Sequence, residues 1–176
     1  YKDKVVEKNT ETIVLLELEK EHPFMLADRF ILRQFSPTIT IAGGSVLVPA
    51  EELIRKKQFT GIENPMTQLY QQEDFTIETI EMLINIFYPR PLALDFLTAL
   101  SGIKQKKILK MIQSDKNFTT HSNHVFSRDK INLMKENLVT FAETYFNQNP
   151  KSGEVALSAF SKNRLTGNEL KLYISQ

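Results

Sequence analysis

Four lysines lie close together between residues 104 and 110, and no acidic residue interrupts them. They are Lys104, Lys106, Lys107 and Lys110. Apolar residues recur around them at helical spacing, which predicts a helix over 103–113 with the lysines facing outward. Ammonium groups neutralise phosphate, so this face is a candidate nucleic-acid-binding surface. The alternative is a solvated helix face, where lysine is a common residue.

The three histidines and the hydroxyl residues indicate no catalytic or metal site. His121 and His124 flank a predicted turn, and neither cysteine nor a carboxylate cluster accompanies them. We interpret both as polar surface residues, or alternatively as contacts to RNA phosphate. Ser36 and Ser45 have no histidine partner at a recognisable spacing, so we identify no catalytic residues. The nucleotide-binding pattern G-x-x-x-x-G-K-S/T is absent, so we expect neither enzymatic activity nor a cofactor in this chain.

Composition excludes several further classes. The chain has 176 residues, enough for one ordinary domain or two small ones. It contains no cysteine, which excludes a disulfide framework, a thiolate zinc site and a cysteine nucleophile. Its apolar runs are far shorter than the roughly 20 residues that cross a bilayer, and we expect a cytoplasmic protein. Residues 1–75 hold 9 basic and 12 acidic residues and 76–176 hold 13 and 9, a mild asymmetry for a nucleic-acid-binding protein.

Short extended segments dominate the first 50 residues. Alternation and β-branched residues over 12–19 predict a strand with one face buried near its end. Further extended pieces are predicted at 24–25, 30–33, 38–41 and 45–48. Gly43 and Gly44 predict a bulge or a close backbone approach between the last two strands. Residues 1–50 are therefore predicted to be all-β, and four or five strands leave open edges that either strands of a missing N-terminal part or a partner would cover.

Helical periodicity predominates after residue 50. We predict that 51–75 is a connector, with a short helix at 49–54 and irregular chain over 58–72. Thr76 is a predicted N-cap, and helices at 77–87, 92–100 and 103–113 precede a hairpin over 118–126. Three helices and a hairpin follow the order of a winged helix, which 76–127 is predicted to form. Helices predicted at 131–146, 155–160 and 169–175 begin a second, incomplete unit over 128–176. The predicted fold class is therefore mixed, an N-terminal all-β segment followed by mainly α-helical tandem winged-helix units.

One stretch resembles a known family. The block Asp28-Arg29-Phe30-Ile31-Leu32-Arg33, then Ser36-Pro37 and Thr40-Ile41-Ala42-Gly43-Gly44-Ser45-Val46-Leu47, is similar to the end of the third domain of the bacterial selenocysteine-specific elongation factor. In that family the third domain is a β-barrel, and a connector and four tandem winged helices follow it. The order here is the same, so the resemblance implies that 1–50 is a partial β-barrel, the C-terminal half of a barrel domain. The family usually has a third glycine where this chain has Ala42, so the backbone there need not be left-handed.

The resemblance implies a function for a longer parent protein. Such a parent binds GTP and Mg²⁺ through an upstream domain, carries selenocysteinyl-tRNA to the ribosome and recognises an mRNA hairpin at UGA codons. The last two winged units, which grip that hairpin, are expected downstream. The chain begins without Met, and we expect it to be the middle of such a protein, with barrel strands that face tRNA and a winged-helix spacer.

The resemblance also points to Arg33, Gln34 and Phe35. By similarity to translation-factor third domains, this turn faces the backbone of the tRNA T-stem, and the forked donors of arginine suit phosphate. An ordinary turn with a surface arginine is the alternative. For the four lysines, the family's use of its first two winged units mainly as a spacer favours a solvated face.

Two functions of other classes remain open. A winged-helix transcription regulator would place the 103–113 helix in the major groove of DNA and use the β-rich segment as an effector or dimerisation domain. A pure scaffold would use the winged folds to bind protein only.

Overall fold

The computed structural model describes residues 7–49, 56–160 and 165–175, without the side chains of 56–61 and 157. These residues form two small antiparallel sheets and seven helices, which confirms a mixed α/β fold. No described helix is both long and apolar enough to cross a membrane. The elements are β1 (Arg29–Gln34), β2 (Ile39–Ser45), α1 (Lys56–Tyr70), α2 (Ile77–Phe87), β3 (Leu92–Ala93), α3 (Leu94–Ser101), α4 (Gln105–Gln113), β4 (Phe118–His121), β5 (His124–Ser127), α5 (Arg128–Gln148), α6 (Leu157–Phe160) and α7 (Gly167–Ile174).

The predicted strand over 12–19 is wrong. Residues 10–18 adopt no regular secondary structure, and most of their large apolar side chains are exposed. Alternating side chains suit a pleated surface, but a strand also needs a neighbour to accept and donate its backbone hydrogen bonds, and no described segment pairs with this one. The piece at 24–25 is likewise not a strand. The range 7–49 therefore holds two strands rather than four or five, and they do not close a barrel.

β2 runs straight through the two glycines, where two separate strands were expected. Gly44 lies opposite Phe30, and a Cβ added at Gly44 would lie 2.7 Å from Cζ of the Phe30 ring. The glycine pair thus allows the close approach that its sequence predicts. The bulge lies nearer the turn than the glycine pair. Leu32 pairs with Ala42 and Arg33 pairs with Thr40, so Ile41 has no partner on β1 and is the extra residue of the bulge.

The backbone of this glycine region is not left-handed. Ala42, Gly43 and Gly44 are not among the described residues with positive φ. A methyl group at Ala42 is therefore compatible with the strand conformation, as its departure from the family pattern predicted.

The connector is largely a helix, which corrects the prediction of irregular chain over 58–72. Ile62, Met66 and Leu69 are buried along one face of α1 and pack in the same core as α2. Their i, i+4, i+7 spacing is the helical signal in the sequence, and Pro65 lies inside the helix despite lacking a backbone N–H. The short helix expected at 49–54 falls almost wholly outside the described residues.

The helices predicted at 77–87 and 103–113 are confirmed with small shifts of their ends, and so is the hairpin. Thr76 caps α2 together with Thr79, whose Oγ1 accepts a hydrogen bond from the Thr76 N–H at 3.0 Å. Residues 92–93, expected in a helix, form β3 instead because Leu92 and Ala93 pair with β5. The resulting sheet has the order β3-β5-β4.

Strand β5 is shared by two hydrophobic cores. Val125 is fully buried in the first core, formed mainly by α1 to α4, whereas its neighbour Phe126 is buried in the second. Successive side chains of a strand point to opposite faces, so one strand can wall both cores. The second core adds Met134 of α5 with Leu170 and Tyr173 of α7.

Candidate nucleic-acid interface

Helix α4 separates its apolar and charged residues as predicted. Ile108 and Ile112 are buried in the first core, while Lys106, Lys107 and Lys110 are exposed on the helix surface. Lys104 is also exposed, but it lies at the N-cap position rather than within the helix, which begins at Gln105. The structure thus brings the four predicted lysines onto one helix and its first turn.

A polar cluster fixes α4 relative to the hairpin. The Asn123 side chain donates to Oδ2 of Asp95 at 2.8 Å, and Gln105 Nε2 donates to Oδ1 of Asn123 at 3.0 Å. Gln105 Nε2 also lies 3.4 Å from Asp95 Oδ1. These three residues come from α3, α4 and the turn between β4 and β5. The Asp95 carboxylate is therefore engaged by the amide groups of Gln105 and Asn123.

The turn between β4 and β5 has a defined backbone. Ser122 and Asn123 have φ values of 47° and 63°, the left-handed pair of a two-residue hairpin turn. The Leu94 N–H donates to the Asn123 carbonyl at 2.9 Å, which holds the turn against the start of α3. The turn is therefore fixed by its backbone as well as by its side chains.

Both hairpin histidines have partners within the fold. His124 Nδ1 lies 2.7 Å from the Ser122 carbonyl oxygen, and His121 Nε2 lies 3.3 Å from Oγ of Ser175, just after α7. Among the described residues, no group of three histidine, cysteine or acidic side chains could hold a metal ion. The contact between His121 and Ser175 was not predictable from the sequence, because it joins residues 54 positions apart.

The turn at Arg33, Gln34 and Phe35 lies at the tip of the β1–β2 hairpin. All three residues are exposed, and the Phe35 side chain keeps 97% of its surface open to solvent. Gln34 Nε2 donates to the Ser36 carbonyl at 3.0 Å, which stabilises the turn and leaves the guanidinium and the ring projecting. The structure does not bring this turn and the lysines into one cluster, so they are two separate candidate surfaces.

A hydrogen bond and apolar contacts attach the hairpin to the helical part. The Leu26 N–H donates to the Leu100 carbonyl at 2.8 Å, and Leu26, Leu47 and Val48 pack against the first core. Asp28 Oδ2 accepts from the Met25 N–H at 2.8 Å and so shapes the entry to β1.

Two features of these surfaces were missed from the sequence. The Asp95, Gln105 and Asn123 cluster joins residues 28 and 18 positions apart, and isolated polar residues give no signal of such a contact. Strand β3 has only two residues, too few to show alternation. Comparison of the chain with protein-family models, curated proteins and solved structures finds no match in any of the three.

Proposed function

We propose that this chain is part of a selenocysteine-specific translation elongation factor, and that it contributes tRNA-facing strands and the start of a winged-helix arm. The piece itself is non-catalytic; GTP and Mg²⁺ bind in an upstream domain of the parent. Its partners through the parent are selenocysteinyl-tRNA, the ribosome and an mRNA hairpin. One observation carries this proposal: the block over 28–48, with its glycine pair, is followed after a connector by tandem helical units.

The geometry of the hairpin supports the block's assignment to a barrel. Ile31, Ile39 and Ile41 are 63%, 52% and 64% exposed on a two-stranded hairpin. Isolated hairpins are marginally stable, and exposed β-branched residues on their faces fit strands that normally continue into a larger sheet. The N-terminal part of a barrel domain would supply those neighbours.

The element order supports a winged-helix unit over 76–127. α2, β3, α3, α4, β4 and β5 follow one another, and β3 pairs with β5 in the sheet order β3-β5-β4. This is the order of a winged helix: a helix, a short strand, two more helices and a two-stranded wing, with the short strand paired to the wing. Helices α5, α6 and α7 repeat the three-helix part, as the start of a second unit.

RNA capture from cells tests the tRNA assignment. An epitope tag is added to the gene at its chromosomal locus, the intact protein is captured, and bound RNAs are sequenced. We expect selenocysteine tRNA to be enriched over all other tRNAs. Recovery of the protein without tRNA enrichment would contradict the proposal.

Arg33→Gln in the intact protein tests the turn. A charge-assisted hydrogen bond to phosphate contributes about 1.5–3 kcal/mol, so its loss weakens tRNA binding roughly tenfold or more. Arg29→Gln is the matched control, because Arg29 is also exposed on β1 but lies at the opposite end of the strand from the turn. Equal losses in both variants would remove the turn from the binding surface while leaving the tRNA assignment intact.

A DNA-binding regulator is the second candidate, and the exposed lysines of α4 favour it. Mobility-shift assays with duplex DNA distinguish the two functions. Tight duplex DNA binding that falls steeply with salt, together with no tRNA capture, would support the regulator. No DNA binding at low salt would dispose of it.

A further inference from the structure

Helix α4 presents several lysines and has no acidic residue of its own. Lys104 at its N-cap and Lys106, Lys107 and Lys110 within it are all exposed. Asp95 lies against the start of α4, and its carboxylate accepts hydrogen bonds from Gln105 and Asn123. A surface with several ammonium groups close together attracts a polyanion most strongly, because each bound phosphate releases condensed counterions.

The hairpin turn and α4 present this charge on a fixed frame. The Asp95, Gln105 and Asn123 cluster joins the N-terminal end of α4 to the hairpin turn, and the backbone bond from Leu94 to Asn123 holds the same turn. A preorganised surface loses less conformational entropy on binding than a set of mobile side chains on a flexible loop.

The chemistry of α4 fits phosphate contacts better than base recognition. Base edges in a groove are read by arginine or lysine at guanine and by asparagine or glutamine at adenine. α4 has no arginine or asparagine, and Gln105 is engaged with Asp95 and Asn123, which leaves Gln113 at its far end. A lysine on phosphate acts as a point charge and carries no sequence information. The surface is therefore suited first to the backbone of a nucleic acid.

We propose that the lysines of α4 and its N-cap bind the phosphate backbone of double-stranded RNA. The choice of RNA over DNA rests on the proposed function. The inference that the surface binds phosphate rests on the lysines alone. The first winged unit is then a second RNA-holding element of the arm and more than a spacer between the tRNA-facing hairpin and the mRNA-binding end.

The test measures binding of a fluorescent RNA duplex of mixed sequence to the full 176-residue chain across a salt series. Four phosphate contacts give a slope of log K against log salt of about −3.6 for a duplex, which is roughly a 150-fold loss between about 50 and 200 mM salt. The variant with Lys→Gln at residues 104, 106, 107 and 110 should lose this binding, with a slope near zero. Circular dichroism melting verifies that the variant is folded.

A control variant with the same change in net charge separates the surface from general electrostatics. It carries Lys→Gln at the exposed residues Lys8, Lys20, Lys135 and Lys151, which lie outside α4 and the hairpin. We expect its RNA binding to stay within about threefold of the unchanged chain, because distant surface charges are screened.

Three results would overturn the inference. The first is equal loss in both quadruple variants, and the second is unchanged binding in the α4 variant. The third is binding to a DNA duplex of the same sequence that is at least tenfold tighter than to RNA, which would favour the DNA-binding regulator. The tRNA capture experiment uses the protein with its lysines unchanged. If one of these three results is found but tRNA is enriched in the capture, the RNA-binding role of the lysines is wrong and the proposed function stands.

If the lysines bind duplex RNA but no tRNA is captured, the RNA-binding role of the lysines stands and the elongation-factor assignment is wrong.

Discussion

Replacement of Phe126 by alanine tests whether the two cores unfold as one. Phe126 is 1% exposed in the second core, and its ring meets that of Tyr173 edge to face with centroids 5.1 Å apart. Val125, the preceding residue on β5, is fully buried in the first core. Disturbing β5 from one side is therefore expected to weaken the packing on its other side.

The size of the effect follows from the burial of the ring. Truncation of a fully buried phenylalanine costs about 3–5 kcal/mol, and an edge-to-face aromatic pair adds about 0.5–1.5 kcal/mol to simple burial. We expect Phe126→Ala to lie in the upper half of the first range, at about 4–5 kcal/mol. In a chain of this size each kcal/mol lowers Tm by about 2–4 °C, so Tm should fall by roughly 8–20 °C.

Urea unfolding followed by circular dichroism measures the change in the free energy of unfolding. Hydrogen exchange with mass spectrometry shows which helices lose protection. We expect a single transition in which α2 and α7 lose protection by the same amount. Loss of protection confined to α5 and α7, with α2 unchanged, would refute the idea that β5 couples the two cores. Phe35→Ala is the matched control, because the same truncation at a 97% exposed ring should change stability by no more than about 0.5 kcal/mol.

Two further predictions concern a helix end and a tyrosine. Gly102 ends α3 with φ +66°, so Gly102→Ala should cost about 1–2 kcal/mol in urea unfolding, whereas Gly153→Ala, whose added Cβ meets no atom within 4 Å, should cost nothing. A loss below about 0.5 kcal/mol at Gly102 would show that the left-handed position is not constrained. Burial raises the pKa of Tyr173, with the charges of Tyr88 and Glu169 as smaller causes. The unfolded tyrosine ionises near its ordinary value of about 10 while the folded one stays protonated, so stability is lost as pH rises above about 10. Tyr173→Phe should therefore reduce the fall of the urea midpoint between about pH 9 and 11. An unchanged fall would show that groups other than Tyr173 cause the loss of stability.

Local signals predicted the helical elements well and the extended ones poorly. The caps, apolar periodicity and prolines around 77–87 fix a helix from nearby residues alone, and α2 forms there. A strand depends on a partner elsewhere in the chain, so the alternating pattern over 12–19 could not guarantee one. In α1, Gly61 and Pro65 disfavour a helix locally, and tertiary packing of Ile62, Met66 and Leu69 holds it.

The candidate surfaces show the same division. The exposed lysines of α4 follow from its own amphipathic pattern and were predicted from sequence. Their placement against the hairpin depends on Asp95, Gln105 and Asn123, which are distant in sequence and gain meaning only once the fold is formed. The sequence likewise predicted that Phe35 lies in a turn. Its almost complete exposure follows from the tertiary structure, because no other described part of the chain covers the ring.

The contacts among the parts bear on how the two candidate surfaces would act together. The segment before the Arg33 hairpin is bonded to the helical part through Leu26 and Leu100, and the hairpin after α4 is bonded through His121 to Ser175, just after α7. Shared burial on both faces of β5 joins the two cores in the same way. Motion between packed elements would have to break these contacts, which restrain the position of α4 relative to the Arg33 turn. Two weak surfaces at a restrained separation bind one ligand that spans both more tightly than either does alone, because the second contact is intramolecular. Under the two proposals, an RNA that reaches both surfaces is therefore expected to bind more tightly than one that reaches a single surface.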